Sequence, residues 1–396
     1  MNWLRSFLDK IKPNFEKGGK LYFLHSTFEA FEVFFFVPNK VTEKGSHIRD
    51  YVDLKRLMTH VLIALAPIVL FGMFNVGLQH FRLQLGLDID AWGQVVKEIG
   101  FWRIFWYGFL RILPIIVVSY VSGLAVEFTS AQIRHHQVNE GFLVTGMLIA
   151  LIVPPTIPLW MLAIATIFAV IFGKEVFGGT GMNFLNPALL TRAFLFFAYP
   201  ASMTGDAIWV ASKGLDVISG PTPLALAAQN QFAQAPSLLT MSLGFMPGSI
   251  GETSKILIIL AAIYLIFTGV ANLRVMISAL VGAAAMGIIF NLWGANEYMQ
   301  IPFYYHFFIG GFLFGAVFMA TDPVTSAQTP TGKIYYGLLI GIFCMLIRVV
   351  NPAYPEGAML SILLMNVFAP LIDHLVVQQN INRRKKRALL SQTIKS

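Results

Sequence analysis

The stretch Leu57-Met-Thr-His-Val-Leu-Ile-Ala-Leu-Ala-Pro-Ile-Val-Leu-Phe-Gly-Met-Phe-Asn-Val-Gly-Leu78 contains no Asp, Glu, Lys or Arg. Crossing about 30 Å of hydrocarbon as a helix takes about 20 apolar residues, so this run is long enough to span a bilayer. Further predominantly apolar runs are Ile104–Phe128, Pro158–Ile171, Lys255–Ala271, Val275–Trp293, Tyr304–Ala320, Ile334–Val350 and Gly357–Val377. Two shorter ones, Phe142–Val153 and Phe184–Tyr199, are interrupted or bounded by proline. Together they predict an all-α polytopic membrane protein with about ten transmembrane helices, some of them broken. Pro/Gly-broken segments at membrane depth free backbone groups that can coordinate ions or cofactors.

Composition points the same way. Apolar residues make up 56% of the 396 and charged residues only 12%, with a mean hydropathy of +0.69. Soluble domains carry about 25% charge, and a chain this poor in charge cannot cover a water-facing surface. The net charge of +8 raises the question of nucleic acid, but its distribution argues against it. Basic residues gather before the first run (Lys10 to Arg56) and after the last (Arg383, Arg384, Lys385, Lys386, Arg387, Lys395), the pattern of cytoplasmic tails under the positive-inside rule. The single Cys344 can neither hold an iron–sulfur cluster nor form an intrachain disulfide. Met1 to Asn14 is amphipathic and lacks the apolar core of a signal peptide.

Walking the loops places both termini in the cytoplasm and the long connection from Pro200 to Thr253 outside. The expected organisation is a cytoplasmic extension over 1–56, five helices over 57–199 and an outer loop over 200–253. A second set of five helices over 254–377 and a basic tail over 378–396 follow. Val176-Phe-Gly-Gly-Thr180 echoes Val317-Phe-Met-Ala-Thr321, and Glu140-Gly141 echoes Glu356-Gly357. A tandem duplication does not fit their offsets, whereas two inverted five-helix repeats are compatible; chance similarity between Gly/Pro-rich helix ends remains the alternative.

The outer loop carries Asp216-Val-Ile-Ser219-Gly220-Pro221-Thr222. By itself this is a turn sequence with an accessible hydroxyl, since Gly and Pro punctuate loops everywhere. It also resembles the D-x-x-S/T-G-A-T signature at which a flavin transferase joins FMN to threonine through a phosphoester, with Thr222 as acceptor and Pro221 standing where the signature carries alanine. Collinear blocks along the chain extend the resemblance. They include Gly45-Ser-His-Ile-Arg-Asp50, Lys174-Glu-Val-Phe-Gly-Gly-Thr-Gly181, Asn183-Phe-Leu-Asn-Pro187, Pro247-Gly-Ser-Ile-Gly-Glu252 and Arg348-Val-Val-Asn-Pro-Ala-Tyr-Pro-Glu-Gly357. On these residues the chain resembles the NqrB/RnfD family of membrane flavoprotein subunits. The N-terminal extension is similar to the sodium-pumping NADH:quinone reductase (Nqr) branch rather than the Rnf branch.

That resemblance implies covalent FMN on Thr222 with Asp216, Ser219 and Gly220 as the rest of its motif, and a non-covalent riboflavin for which Asn183 and Asn186 are the candidate amides. It implies electron transfer towards quinone coupled to Na+ export, with the other Nqr subunits (A, C, D, E and F) and a flavin transferase as partners. It also implies a quinone region at Gly123 and Glu127, although Leu124 replaces the second glycine of the relatives' pair. Intrahelical capping before Pro187 is the alternative role for the asparagines. Helix packing is the alternative role for Gly123.

Buried charge gives a separate pointer to an ion path, because ionisable groups at membrane depth rarely face lipid. Asp322, in Thr321-Asp322-Pro323, is the leading candidate; Glu127, Asp373 and Glu29 follow, with helix capping or pairing to an arginine as the alternative. The histidines show no metal-ligand spacing, and Gly178-Gly-Thr-Gly181 lacks the βαβ unit that a dinucleotide site needs. Two rival functions stay open: an Rnf-type subunit exchanging electrons with ferredoxin, and a cofactor-free transporter or channel.

Overall fold

The computed structural model describes residues 2–16, 18–25, 27, 28, 32, 36, 42, 44–46, 54–134, 141–205, 207–211, 221–351 and 356–393. Among the described residues there are α-helices and 3₁₀ turns and no strand. The helices are α1 (Asn2–Ile11), α2 (Leu54–Gln84), α3 (Trp92–Ile99), α4 (Phe101–Arg134), α5 (Gly141–Ile152), α6 (Leu159–Gly173), α7 (Pro187–Ala198) and α8 (Pro223–Ala228). They continue with α9 (Leu238–Leu243), α10 (Lys255–Phe267), α11 (Leu273–Trp293), α12 (Glu297–Gln300), α13 (Tyr305–Phe308), α14 (Phe312–Phe318), α15 (Pro330–Val350) and α16 (Ala358–Thr393).

Among the described residues, six helices are long and apolar enough to cross a membrane: α2, α4, α6, α11, α15 and α16. The apolar helices α5, α7 and α10 have 12, 12 and 13 residues. At 1.5 Å per residue each covers less than about 20 Å, too little to span hydrocarbon alone. The run Tyr304–Ala320 is split at Ile309-Gly310-Gly311 into α13 and α14. Gly310 takes φ +66°, a conformation that costs glycine little and other residues more.

Of the short helices, α5, α7 and α14 are largely buried among the others, whereas α10 buries one face and exposes Ile256, Ile259, Leu260, Ile263 and Phe267 on the other. In the first half α5 packs on α2, α4 and α7, and α6 packs on α4 and α7; in the second half α14 packs on α10, α11 and α16, and α15 packs on α11 and α16. The same pairings recur, and the halves meet where α10 lies on α2 and α16 on α7. The tightest crossings use small residues. A Cβ at Gly108 of α4 would collide with the Met73 carbonyl oxygen of α2, and one at Gly282 of α11 would collide with that of Leu338 in α15. Such contacts drive helix association where lipid is as apolar as the side chains.

The connection between α9 and α10 is buried rather than draped over the surface. Gly251 N–H donates to the Leu151 carbonyl at the end of α5 at 2.8 Å, and Asn75 Nδ2 donates to the Met246 carbonyl at 2.9 Å. It supplies the partner that an α5 end at membrane depth must have.

Candidate functional site

Thr222 is the N-cap of α8. Its Oγ1 accepts from the Ala225 N–H at 3.1 Å, and Pro223 occupies the first helical position, a combination suited to helix starts. The residue lines a cleft of about 290 Å³ together with Arg192, Trp209, Glu252, Gly310 and Glu356. Of its sequence motif, Asp216, Ser219 and Gly220 lie outside the described residues, as does Glu29 of the ion-path candidates.

Behind Thr222 lies a set of buried charges that hydropathy and motif do not single out. Arg192, from α7, forms an ion pair with Glu356 just before α16; the two side chains are 7% and 14% exposed. The Arg192 guanidinium carbon lies 6.0 Å from the centre of the Trp209 ring. Lys255 is fully buried at the start of α10 and donates to the carbonyls of Glu252 and Gly310. Arg348, also fully buried, donates to the carbonyls of His306 at 2.8 Å and Glu356 at 3.3 Å. The Glu252 carboxylate accepts from the Ser249 N–H at 2.9 Å. Gly311 lets both carboxylates approach, since a Cβ there would meet Glu252 Oε2 at 2.8 Å and Glu356 Oε1 at 3.2 Å.

A second cleft, of about 340 Å³, is lined by Thr145, Lys174, Thr180, Asn183, Asn186 and Asp322. The structure thus brings Asn183, Asn186 and Asp322 together, although Asp322 lies 136 positions from Asn186. Asn186 caps α7, its Oδ1 accepting from the N–H groups of Ala188 and Leu189 at 3.0 and 3.3 Å, while its Nδ2 donates to Asp322 Oδ2 at 3.5 Å. Asp322 also accepts from Thr325 Oγ1 at 3.0 Å and the Val324 N–H at 3.1 Å. Asn183 Nδ2 donates to the Leu185 carbonyl at 3.3 Å.

Helix α7 runs between the two clefts, with Pro187 lining the Asp322 cleft and Arg192 the Thr222 cleft. Helix α5 lines the Asp322 cleft with Val144 and Leu148, α7 lines the Thr222 cleft with Arg192 and Phe196, and the α14 segment reaches from Gly310 to Val317 and Phe318. Between them Ile152, Leu189, Phe314, Met319 and Ile362 enclose a void of about 20 Å³, room for about one water. Arg192, Glu252 and Glu356 border that void as well as the Thr222 cleft.

Gly123, Glu127 and Asp373 line neither cleft. Glu127 of α4 is buried and ion-paired with Lys174, whose ammonium also lies 6.0 Å from the centre of the Phe142 ring. Gly123 faces that ring, which a Cβ would strike. Asp373 of α16 stands apart from both clefts and holds the entry to α15, accepting from the Gln328 N–H at 2.6 Å, the Thr329 N–H at 2.9 Å and Thr329 Oγ1 at 2.5 Å.

The residues around Thr222 suit a flavin phosphate in kind. Trp209 offers an aromatic face and Arg192 a planar cation that matches phosphate, and among the described charged groups of this cluster three cations (Arg192, Lys255, Arg348) face two carboxylates (Glu252, Glu356). The Asp322 cleft is mostly apolar, with Leu57, Val144, Leu265 and Phe318 in its wall, and it gathers Thr145, Asn183, Asn186 and Asp322 as polar groups, a mixture that suits a flat ring with a polar edge.

A helical bundle with two clefts joined through short, broken helices is the architecture of an integral membrane protein of the ion- or solute-translocating class. The family model for the NQR2, RnfD, RnfE family matches residues 41–382, and the chain belongs to that family. Among similar proteins, the B subunit of the Na(+)-translocating NADH-quinone reductase of Chromohalobacter salexigens is 46% identical over 97% of this chain and 96% of its own length. Its namesakes from Ectopseudomonas mendocina and Klebsiella pneumoniae are 46% and 43% identical, each over 97% of this chain and 99% of their own.

Proposed function

We propose that this chain is a membrane subunit of a Na+-translocating NADH:quinone reductase, carrying covalent FMN on Thr222 and passing electrons towards quinone as Na+ leaves the cytoplasm. The observation that carries it is the Thr222 hydroxyl at the edge of a cleft backed by Arg192 and Trp209, in a chain collinear with such subunits over 97% of its length. Near-full-length coverage, N-terminal extension included, favours this over an Rnf-type role. The A, C, D, E and F subunits would supply NADH oxidation and iron–sulfur chemistry, for which this chain has neither the fold nor the thiols.

Bound FMN supplies one-electron chemistry; the protein's own residues do the rest. Thr222 Oγ1 provides the ester oxygen and keeps an acceptor lone pair for Ala225 N–H, so esterification leaves the α8 cap in place. Asn183 and Asn186 are the candidate amides for riboflavin, with Asn186 Oδ1 engaged by α7 and its Nδ2 directed at Asp322. Asp322, with Thr325 and Asn186 beside it, offers hard oxygen atoms of the kind a Na+ ion accepts. Gly123, Glu127 and Asp373 then support the path and the quinone region from its edges.

Orientation follows from α16. Its first turn lies beside the Thr222 cleft, and its 36 residues cover about 54 Å, so Arg383 to Arg387 emerge on the Asp322 side. The positive-inside rule then sets the Asp322 cleft towards the cytoplasm of a bacterial inner membrane and Thr222 towards the periplasm.

In-gel ultraviolet fluorescence of the denatured chain, made together with a flavin transferase, tests the cofactor. The band is expected in wild type and absent in Thr222→Ala; a dark wild-type band favours a cofactor-free transporter. In the assembled complex, Asp322→Asn should raise the Na+ concentration needed for half-maximal quinone reduction at least tenfold; an unchanged Na+ dependence removes Asp322 from the path.

A further inference from the structure

We propose that Arg192 sets the reduction potential of the group on Thr222 and that Glu356 is the counter-charge that limits its effect. The inference rests on the reading of Thr222 as the flavin-bearing residue. Arg192 is anchored on α7, less than two turns beyond the Asn186 cap, and its side chain is withdrawn from solvent. It lines the Thr222 cleft beside Trp209, with the ion pair to Glu356 fixing the guanidinium from the other side. Lys255 and Arg348 stand behind it, but carbonyl oxygens hold both, and neither lines the cleft. Among the described residues that line the cleft, Arg192 is the only cation, and Glu252 and Glu356 are the only anions.

Adding one electron without a proton places one negative charge in the cleft. The Arg192 side chain is itself withdrawn from water, so its fixed charge weighs more heavily than one on the surface. Arg192 stabilises that added charge; the Glu356 and Glu252 carboxylates oppose it. The two members of one ion pair therefore act on the potential with opposite signs. A purely structural pair would not behave so, because breaking it from either side gives the same loosened packing.

The test is a spectroelectrochemical titration of the assembled complex, with the covalent load verified by in-gel fluorescence and by mass spectrometry of the Thr222 peptide. Subtracting the titration of a Thr222→Leu complex isolates the covalent group. Arg192→Gln should lower its midpoint by at least a tenfold change in the redox equilibrium, about 59 mV for one electron. Glu356→Gln should raise it, and Arg192→Lys, which keeps the charge, should stay near wild type. Unchanged midpoints in Arg192→Gln and Glu356→Gln, or shifts of the same sign in both, overturn the proposal. If Arg192→Gln does not assemble, the upward shift in Glu356→Gln decides it, and its absence rejects the idea. A wild-type Thr222 peptide without the flavin mass is a different failure, that of the reading on which this one rests.

Discussion

Removing either member of the buried Lys174–Glu127 pair should destabilise the protein more than removing both charges together. The two side chains are 5% and 4% exposed and in direct contact. Even at an effective dielectric constant of about 20, two unit charges 4 Å apart attract by about 4 kcal/mol. Lys174→Met takes the buried ammonium away from Glu127, and losing one member of a buried pair costs about 3–5 kcal/mol. Glu127→Gln strands the ammonium beside the Phe142 ring, which returns only about 2 kcal/mol as a cation–π contact. The double variant removes both members of the pair at once and should recover more than half of either loss. The assay is the thermal midpoint of the detergent-solubilised complex, read as loss of the folded chromatographic peak in wild type, both singles and the double. If the double variant is as unstable as the sum of the singles, the two residues act independently and the reasoning fails. Activity adds a second reading: if Glu127 also serves the ion or quinone path, quinone reduction stays low in the double variant although stability returns.

Asp373→Ala removes three hydrogen bonds at the entry to α15 and should cost about 2–3 kcal/mol. It should lower the thermal midpoint while leaving the half-saturating Na+ concentration unchanged; a shift in Na+ dependence alone would return Asp373 to the ion path. Gly108→Val drives a side chain into the Met73 carbonyl, so α2 and α4 cannot close and the folded peak should be lost. Gly93, whose Cβ position has nothing within 4 Å, is the control, and Gly93→Ala should keep that peak.

Much of the bundle was legible in the sequence because lipid imposes one simple demand, a length of apolar chain, and the runs around Leu57, Ile104, Val275, Ile334 and Gly357 meet it. Tyr304–Ala320 reads as a similar run, yet Gly310 and Gly311 break it, since hydropathy does not register a turn that needs φ above zero and room for two carboxylates. Asn186 was legible as a helix cap, because Asn-Pro is a helix-start signal, whereas its donation to Asp322, 136 positions away, was not. The Arg192–Glu356 pair was not. Its members lie 164 positions apart, and neither block by itself points to the other. Charge at membrane depth was the available signal. That signal marks Asp322 and Glu127, and it marks the cations Arg192, Lys255 and Arg348 equally.

The chain between α9 and α10 would be taken for an expendable surface connection by its glycines and prolines alone. Because it closes the end of α5 through Gly251 and grips α2 through Met246, it is closer to a keystone than to a tether. Anyone seeking a place for an epitope tag, a protease site or a fluorescent label should avoid Met246 to Glu252, where an insertion would unseat two helices at once, and choose the exposed far end of α16 instead.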